Sequence, residues 1–158
     1  MRNAEILTEG KSNPYNYPKM VELFPPEHLE KRLKEAKEFK EKGDIQQACE
    51  KIYSVVESLI KILAEKENVD AYREAMSGKG WSTYLLGGAV AELEEKYSED
   101  KNFKYLLLSI WKTAYSLYRE GFHDNYISIK DFERSYKSIL KNLPKIALKA
   151  GIKLKIEP

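Results

Sequence analysis

Arg119 and His123 are the one pair of residues in this chain whose types and spacing point to chemistry. They lie four positions apart at the end of the strongly apolar run 110–125, so on a continuous helix they would share a face. A histidine there could transfer a proton, and an arginine could stabilise negative charge. The alternative is structural, because a cationic side chain near a helix C-terminus is favourable in itself. Asp124 would then either orient the imidazole or begin the following loop.

Composition excludes several classes of protein. The 158 residues suit one domain, and 42% hydrophobic with 33% charged residues indicates a globular protein rather than a disordered one. No apolar run approaches the roughly 18 residues of a membrane span, so no membrane is expected. The single cysteine, Cys49, fits a reducing compartment and predicts a cytoplasmic location. No Cys, His or acidic cluster has metal-ligand spacing, and we expect neither a metal nor a cofactor.

Apolar periodicity and helix breakers predict five helices, over residues 26–42, 44–67, 82–97, 102–118 or a little beyond, and 128–151. The second has the strongest amphipathic pattern, with nine apolar positions, so we expect it at the centre of the core. Pro144 should kink or break the fifth helix. No segment is a convincing strand. The sequence therefore predicts an all-α antiparallel bundle.

The predicted bundle has a segment on each side and glycines within it. Residues 1–25 are rich in proline and lack a helical period, which predicts an extended N-terminal arm. The bundle then covers residues 26–151, and residues 152–158 form a short C-terminal tail. Gly87 and Gly88 are expected to let a neighbouring helix approach closely. Gly121 is expected to fray or bend the end of the fourth helix.

Cations along the fifth predicted helix could serve a nucleic-acid partner. Residues 128–158 hold eight basic and three acidic side chains. Phosphates of RNA would be contacted by a stripe of exposed cations. The stripe consists of Lys130, Arg134, Lys137 and Lys141, continued by Lys145 and Lys149. It lies opposite the apolar face, where a solvated surface is expected in any case, so RNA is not the favoured partner.

A distributed set of residues extends from the second predicted helix to the end of the fourth. Its members are Gly43, Asp44, Gln47, Ala48, Glu50, Lys51, Tyr53, Glu57, Lys61, Trp81, Trp111 and the run Gly121–Phe122–His123–Asp124. Together they resemble the archaeal PaREP family, and the similarity covers about residues 30–145. The resemblance implies a HEPN-like helical bundle, a superfamily whose members often form dimers.

Two functions are implied by this resemblance. Some HEPN proteins are inactive partners of nucleotidyltransferases or bind nucleotides, and others are metal-independent ribonucleases. In the ribonucleases a histidine would act as acid or base on a ribose 2′-hydroxyl, and an arginine would stabilise the transition state. Those enzymes place four to six residues between the two, whereas only three separate Arg119 from His123. The favoured interpretation is therefore a non-catalytic homodimeric module that binds a partner protein or a nucleotide. The alternative is a metal-independent endoribonuclease that uses Arg119 and His123.

Overall fold

The computed structural model describes residues 17–78 and 80–156. Within these ranges the chain forms seven α-helices and one π-helical segment, with no strand, which confirms the all-α prediction. Every helix in these ranges is too short or too polar to span a bilayer. In chain order the elements are α1 Met20–Leu23, α2 Pro26–Glu41, α3 Ile45–Lys66, α4 Asp70–Ser77, α5 Thr83–Lys96, α6 Lys101–Ser116, the π-helical segment Leu117–His123, and α7 Ile129–Lys149.

Helix α3 lies at the centre of the bundle. It packs against each of the other described helices and against the π-helical segment. Twelve of its 22 residues are buried, as its apolar pattern predicts. Gly43 separates it from α2 with φ +82°, a conformation that glycine adopts without strain. Asp44 caps its start, because one carboxylate oxygen accepts a hydrogen bond from the Gln47 backbone N–H at 3.1 Å.

Helices α1 and α4 depart from the prediction of five helices, since α1 lies in the predicted extended arm and α4 in a predicted loop. Distant carboxylates stabilise both. Glu65 accepts a hydrogen bond from the Met20 N–H at 3.1 Å, and Glu92 accepts from the N–H groups of Asp70 and Ala71 at 3.1 and 2.9 Å. These bonds satisfy N–H groups that a helix start leaves without intrahelical partners. Residues 1–16 of the predicted arm lie outside the described residues.

Helix α7 continues through Pro144, where a break into two pieces was one predicted outcome. The helix is unbroken from Ile129 to Lys149. A proline removes only one intrahelical hydrogen bond. Leu143 and Ile146, on either side of it, are buried in the core and hold the two halves in place.

The C-terminal tail packs on the body of the bundle. Residues 152–156 have no regular secondary structure, yet Ile152 and Leu154 are buried. The Lys155 backbone N–H donates a hydrogen bond to the Glu30 carboxylate on α2 at 2.7 Å. These contacts fix the tail against the first long helix.

The surroundings of Gly87 and Gly88, and of Gly121, differ from those that the sequence predicted. A Cβ at Gly87 or Gly88 would meet no atom within 4 Å, so no neighbouring helix approaches them closely. Close approach occurs instead at Gly121, where a Cβ would overlap the Cys49 sulfur and lie 2.9 Å from the Cys49 Cβ. The end of the fourth predicted helix is therefore pressed against α3 rather than frayed.

Candidate functional site

The π-helical segment Leu117–His123 carries both residues that the sequence singled out. Its hydrogen bonds span five residues, as in the bond from the Asp124 N–H to the Arg119 carbonyl at 2.9 Å. Such segments are rare and often lie at functional sites. The sequence predicted an α-helix to about Tyr118, so the change of helix type within this run is a finding of the structure.

Burial of Leu117 and two contacts with α3 fix the π-helical segment in place. Leu117 is fully buried, and the Gln46 side-chain amide donates a hydrogen bond to the Phe122 carbonyl at 2.7 Å. Gly121 lies directly against Cys49. Burial raises the pKa of the Cys49 thiol to about 12, so the sulfur stays protonated and serves packing rather than nucleophilic chemistry.

Arg119 and His123 are both solvent-exposed. The His123 and Tyr118 rings meet edge to face, with 4.5 Å between ring centroids and an interplanar angle of 83°. Phe122 lies 5.4 Å from the same imidazole. Within residues 17–78 and 80–156, neither Asp124 nor any other side chain forms a hydrogen bond with His123, and the Arg119 guanidinium has no ion pair. The imidazole is thus positioned by rings rather than by an acid.

A cleft of about 320 Å³ opens beside His123, between α3, the start of α5 and the π-helical segment. Its walls are polar and aromatic: Gln47, Glu50, Tyr53, Glu57, Thr83, Tyr118 and Phe122. His123 is not itself part of this lining, but its ring contacts two lining residues, Tyr118 and Phe122.

Stacked rings form one wall of the cleft. Tyr53 and Tyr118 are nearly parallel, 4.1 Å apart, and Phe122 stacks on Tyr118 at 5.9 Å. Trp111 lies 6.0 Å from Tyr53 and continues the cluster towards the core. Burial, together with the nearby Glu57 carboxylate, raises the pKa of the Tyr53 hydroxyl. This phenol is therefore a neutral hydrogen-bonding group at physiological pH.

Carboxylates give the cleft its charge. Glu50 and Glu57 have side chains that are 33% and 28% exposed, so both can reach a ligand, and each has a lysine nearby. Lys51 lies 3.9 Å from Glu50. Lys61 lies 3.5 Å from Glu57, but its ammonium also lies over the Phe24 ring, at 5.5 Å, and over Trp81, at 6.0 Å. No cation of the described residues lines the cleft itself.

The cleft was not predicted, although its lining residues on α3 are regularly spaced in the sequence. Gln47, Glu50, Tyr53 and Glu57 were singled out only for the resemblance, yet they recur every three to four residues and so share one face of α3. That spacing was the signal that could have located the site. Phe122, from the Gly-Phe-His-Asp run, lines the same cleft. Two segments that are far apart in the chain, and that both carry the family resemblance, therefore line the same cleft.

Comparison with known proteins identifies the family of the chain. Residues 26–143 match the archaeal PaREP1/PaREP8 family. The chain belongs to that family. A crystal structure of a Sulfolobus solfataricus protein is also similar to this PaREP chain, with 29% sequence identity and a TM-score of 0.60. The similarity covers 77% of this chain and 94% of the Sulfolobus chain. No curated protein matches the sequence.

The predicted phosphate-binding stripe of this PaREP protein lies on α7, away from the cleft. Lys130, Lys137 and Lys141 are exposed, whereas Arg134 forms an ion pair with Asp131 at 3.1 Å. Lys145 extends the exposed row.

Lys149, the last cation of the predicted stripe, is engaged elsewhere. Its ammonium lies over the rings of Tyr97 and Phe103, at 5.2 and 4.8 Å, and 3.6 Å from Asp100. The free cationic row therefore ends before Lys149. No group of three or more His, Cys, Asp or Glu side chains suited to a metal occurs in the described part of the chain.

Proposed function

We propose that this PaREP protein is a non-catalytic, HEPN-like module that forms a homodimer and binds a partner protein through the cleft beside His123. The observation that supports the proposal is the charge of the cleft, since Glu50 and Glu57 are the only ionic side chains that the described part of the chain contributes to its lining. A nucleotide is a second class of ligand for the same module, but its phosphates would have to face away from these carboxylates.

The acidic lining of the cleft favours binding of a cationic partner over cleavage of RNA. Cleavage of RNA brings a phosphodiester, and then a more negative transition state, next to the catalytic histidine. Glu50 and Glu57 would repel both. A cationic side chain of a partner is attracted by the same carboxylates. A basic segment of a nucleotidyltransferase is one such partner.

A peptide rich in arginine tests this proposal directly. We expect it to bind the wild type, and we expect Glu57→Gln to weaken binding by roughly 1 kcal/mol or more, because one attractive charge is lost. Glu99→Gln, an exposed glutamate outside the cleft, is the matched control. Calorimetry would give the affinities. Equal losses in both variants would mean that the attraction is general and not a property of the cleft.

Exposed apolar side chains next to the π-helical segment support the proposed homodimer. Tyr126 and Ile129 follow it in the chain and are 71% and 68% exposed. Sedimentation at tens of micromolar should reveal a dimer, and replacing both residues with serine should weaken it because apolar contact area is lost. Tyr105→Ser, at 62% exposure on α6, is the control. A monomeric wild type would contradict the proposal.

Endoribonuclease activity is the second candidate, and the exposure of Arg119 and His123 on one π-helical segment favours it. If it occurs, His123→Ala and Arg119→Ala should each abolish cleavage of single-stranded RNA, also in chelator. The products should carry a cyclic phosphate or a 3′-phosphate. His28→Ala, which removes the other histidine at an exposed position on α2, is the matched control. We expect no cleavage, and robust chelator-resistant cleavage lost only in the two site variants would overturn the non-catalytic assignment.

A further inference from the structure

A second, larger cavity lies on a different part of the surface from the cleft. It is a groove of about 430 Å³ between α2 and α7, closed at one end by the C-terminal tail. This volume falls in the range of small-molecule sites. The floor is formed by Leu33, Tyr136, Leu140 and Ile156. Three of these four side chains are aliphatic, so the floor offers apolar contact.

The rim of the groove is cationic. Lys31 and Lys34 of α2 and Lys155 of the tail all line it and are exposed. Within the described ranges none of these three ammonium groups has a carboxylate partner. Among the described residues, Glu30 is the one acidic side chain in the lining, and it already accepts the hydrogen bond from the Lys155 backbone N–H. An anion at the rim would therefore meet several cations without an ion pair to break.

The aromatic residue of the floor is not free for stacking. The Tyr136 ring is 8% exposed, with Phe132 stacked on it at 5.5 Å and the Lys40 ammonium 5.4 Å from its centroid. A nucleobase would find no open ring face, although bases bind single-strand sites by stacking on such faces. An aliphatic chain needs only the apolar floor.

We propose that this groove binds a small amphipathic anion: an aliphatic chain seated on Leu33, Leu140 and Ile156, with a carboxylate or phosphate head held by Lys31, Lys34 and Lys155. The site is separate from the cleft beside His123 and does not depend on the function proposed there. Lysines act as point charges without the fork geometry of arginine, so both head groups fit.

A series of alkyl ligands tests the proposal by calorimetry, below the concentrations at which they form micelles. From hexanoate to decanoate, each added methylene should tighten binding up to about four-fold until the floor is covered. Decanol and decyltrimethylammonium, with the same chain but no anion, should bind at least about ten-fold more weakly than decanoate. Comparison of decanoate with decyl phosphate then identifies the preferred head.

Paired variants locate the site. The double variant Lys31→Glu with Lys34→Glu should weaken decanoate binding at least about ten-fold, whereas Lys112→Glu, an exposed lysine of α6, should not. Ile156→Ser should weaken binding and flatten the dependence on chain length, whereas Leu148→Ser, 67% exposed and outside the groove, should do neither.

Three results would overturn the proposal. One is decanol binding as tightly as decanoate, and another is equal losses in the groove variants and their controls. The third is tight binding of single-stranded RNA that the lysine variants abolish, with no binding of decanoate or decyl phosphate, since the groove would then serve a nucleic acid.

Discussion

Replacing Gly121 with alanine should destabilise the protein, although alanine is the better helix former. The new Cβ would overlap the Cys49 sulfur and lie 2.9 Å from the Cys49 Cβ, both on the buried side of α3. Overpacking of this kind costs about 1–3 kcal/mol. The gain in helix propensity is about 0.5–1 kcal/mol, so a net loss of up to about 2.5 kcal/mol is expected. For 158 residues that corresponds to a melting temperature lowered by up to about 10 °C.

Substitution of Gly88, the matched control, should change the free energy of unfolding in the opposite direction. Gly88 lies inside α5, and a Cβ there would meet nothing within 4 Å, so Gly88→Ala should stabilise by about 0.5–1 kcal/mol. Urea unfolding followed by circular dichroism measures both free energies. Combining Gly121→Ala with Cys49→Gly should cost less than the sum of the two single changes, because the clash is removed. If Gly121→Ala stabilises as Gly88→Ala does, the close packing of the π-helical segment on α3 is wrong.

Three further predictions concern other parts of the chain. Asp44→Ala should lower the free energy of unfolding by about 1 kcal/mol, since the cap of α3 is lost, and urea unfolding would detect it. Burial raises the pKa of Glu65 above its ordinary value of 4.5, so the fold disfavours its ionised form and stability should fall as pH rises through that raised pKa. Unfolding measured from about pH 4 to about pH 7 should show this slope, and Glu65→Gln should flatten it. RNA should bind weakly or not at all; any binding at the α7 stripe should decline steeply with salt and vanish when Lys137 and Lys141 are both replaced by glutamate.

The sequence was informative about the core and much less so about elements held by distant contacts. The five predicted helices all occur, because apolar periodicity and side-chain caps such as Asp44 and Ser128 are local signals. Helix α4 has only eight residues and its first N–H groups depend on Glu92, 22 positions away. Helix α1 depends on Glu65 in the same way. These carboxylates are far along the chain from the N–H groups that they bind, so a local sequence pattern does not predict the hydrogen bonds.

The sequence singled out Arg119 and His123 but did not predict the cleft near them. Arg119 and His123 do lie together on one exposed element. The acidic and aromatic cleft beside them was missed, because its walls come from α3, α5 and the π-helical segment, which only the tertiary fold brings together. The basic stripe was visible in sequence, but the groove beside it depends on α2 and the tail.

The π-helical geometry changes which argument decides between binding and catalysis. On the sequence, the gap of three residues between Arg119 and His123 counted against a ribonuclease, because an α-helix advances each residue by 100°. In a segment whose hydrogen bonds span five residues, a turn contains more residues, and that angular argument no longer applies. The contact of Gly121 with the buried Cys49 holds the segment against α3, so packing in the core fixes the π-helical geometry of the segment. The non-catalytic proposal therefore rests on charge rather than on spacing. Glu50 and Glu57 line the same cleft as Tyr118 and Phe122, the two rings that the imidazole contacts, and a phosphodiester there would require cations.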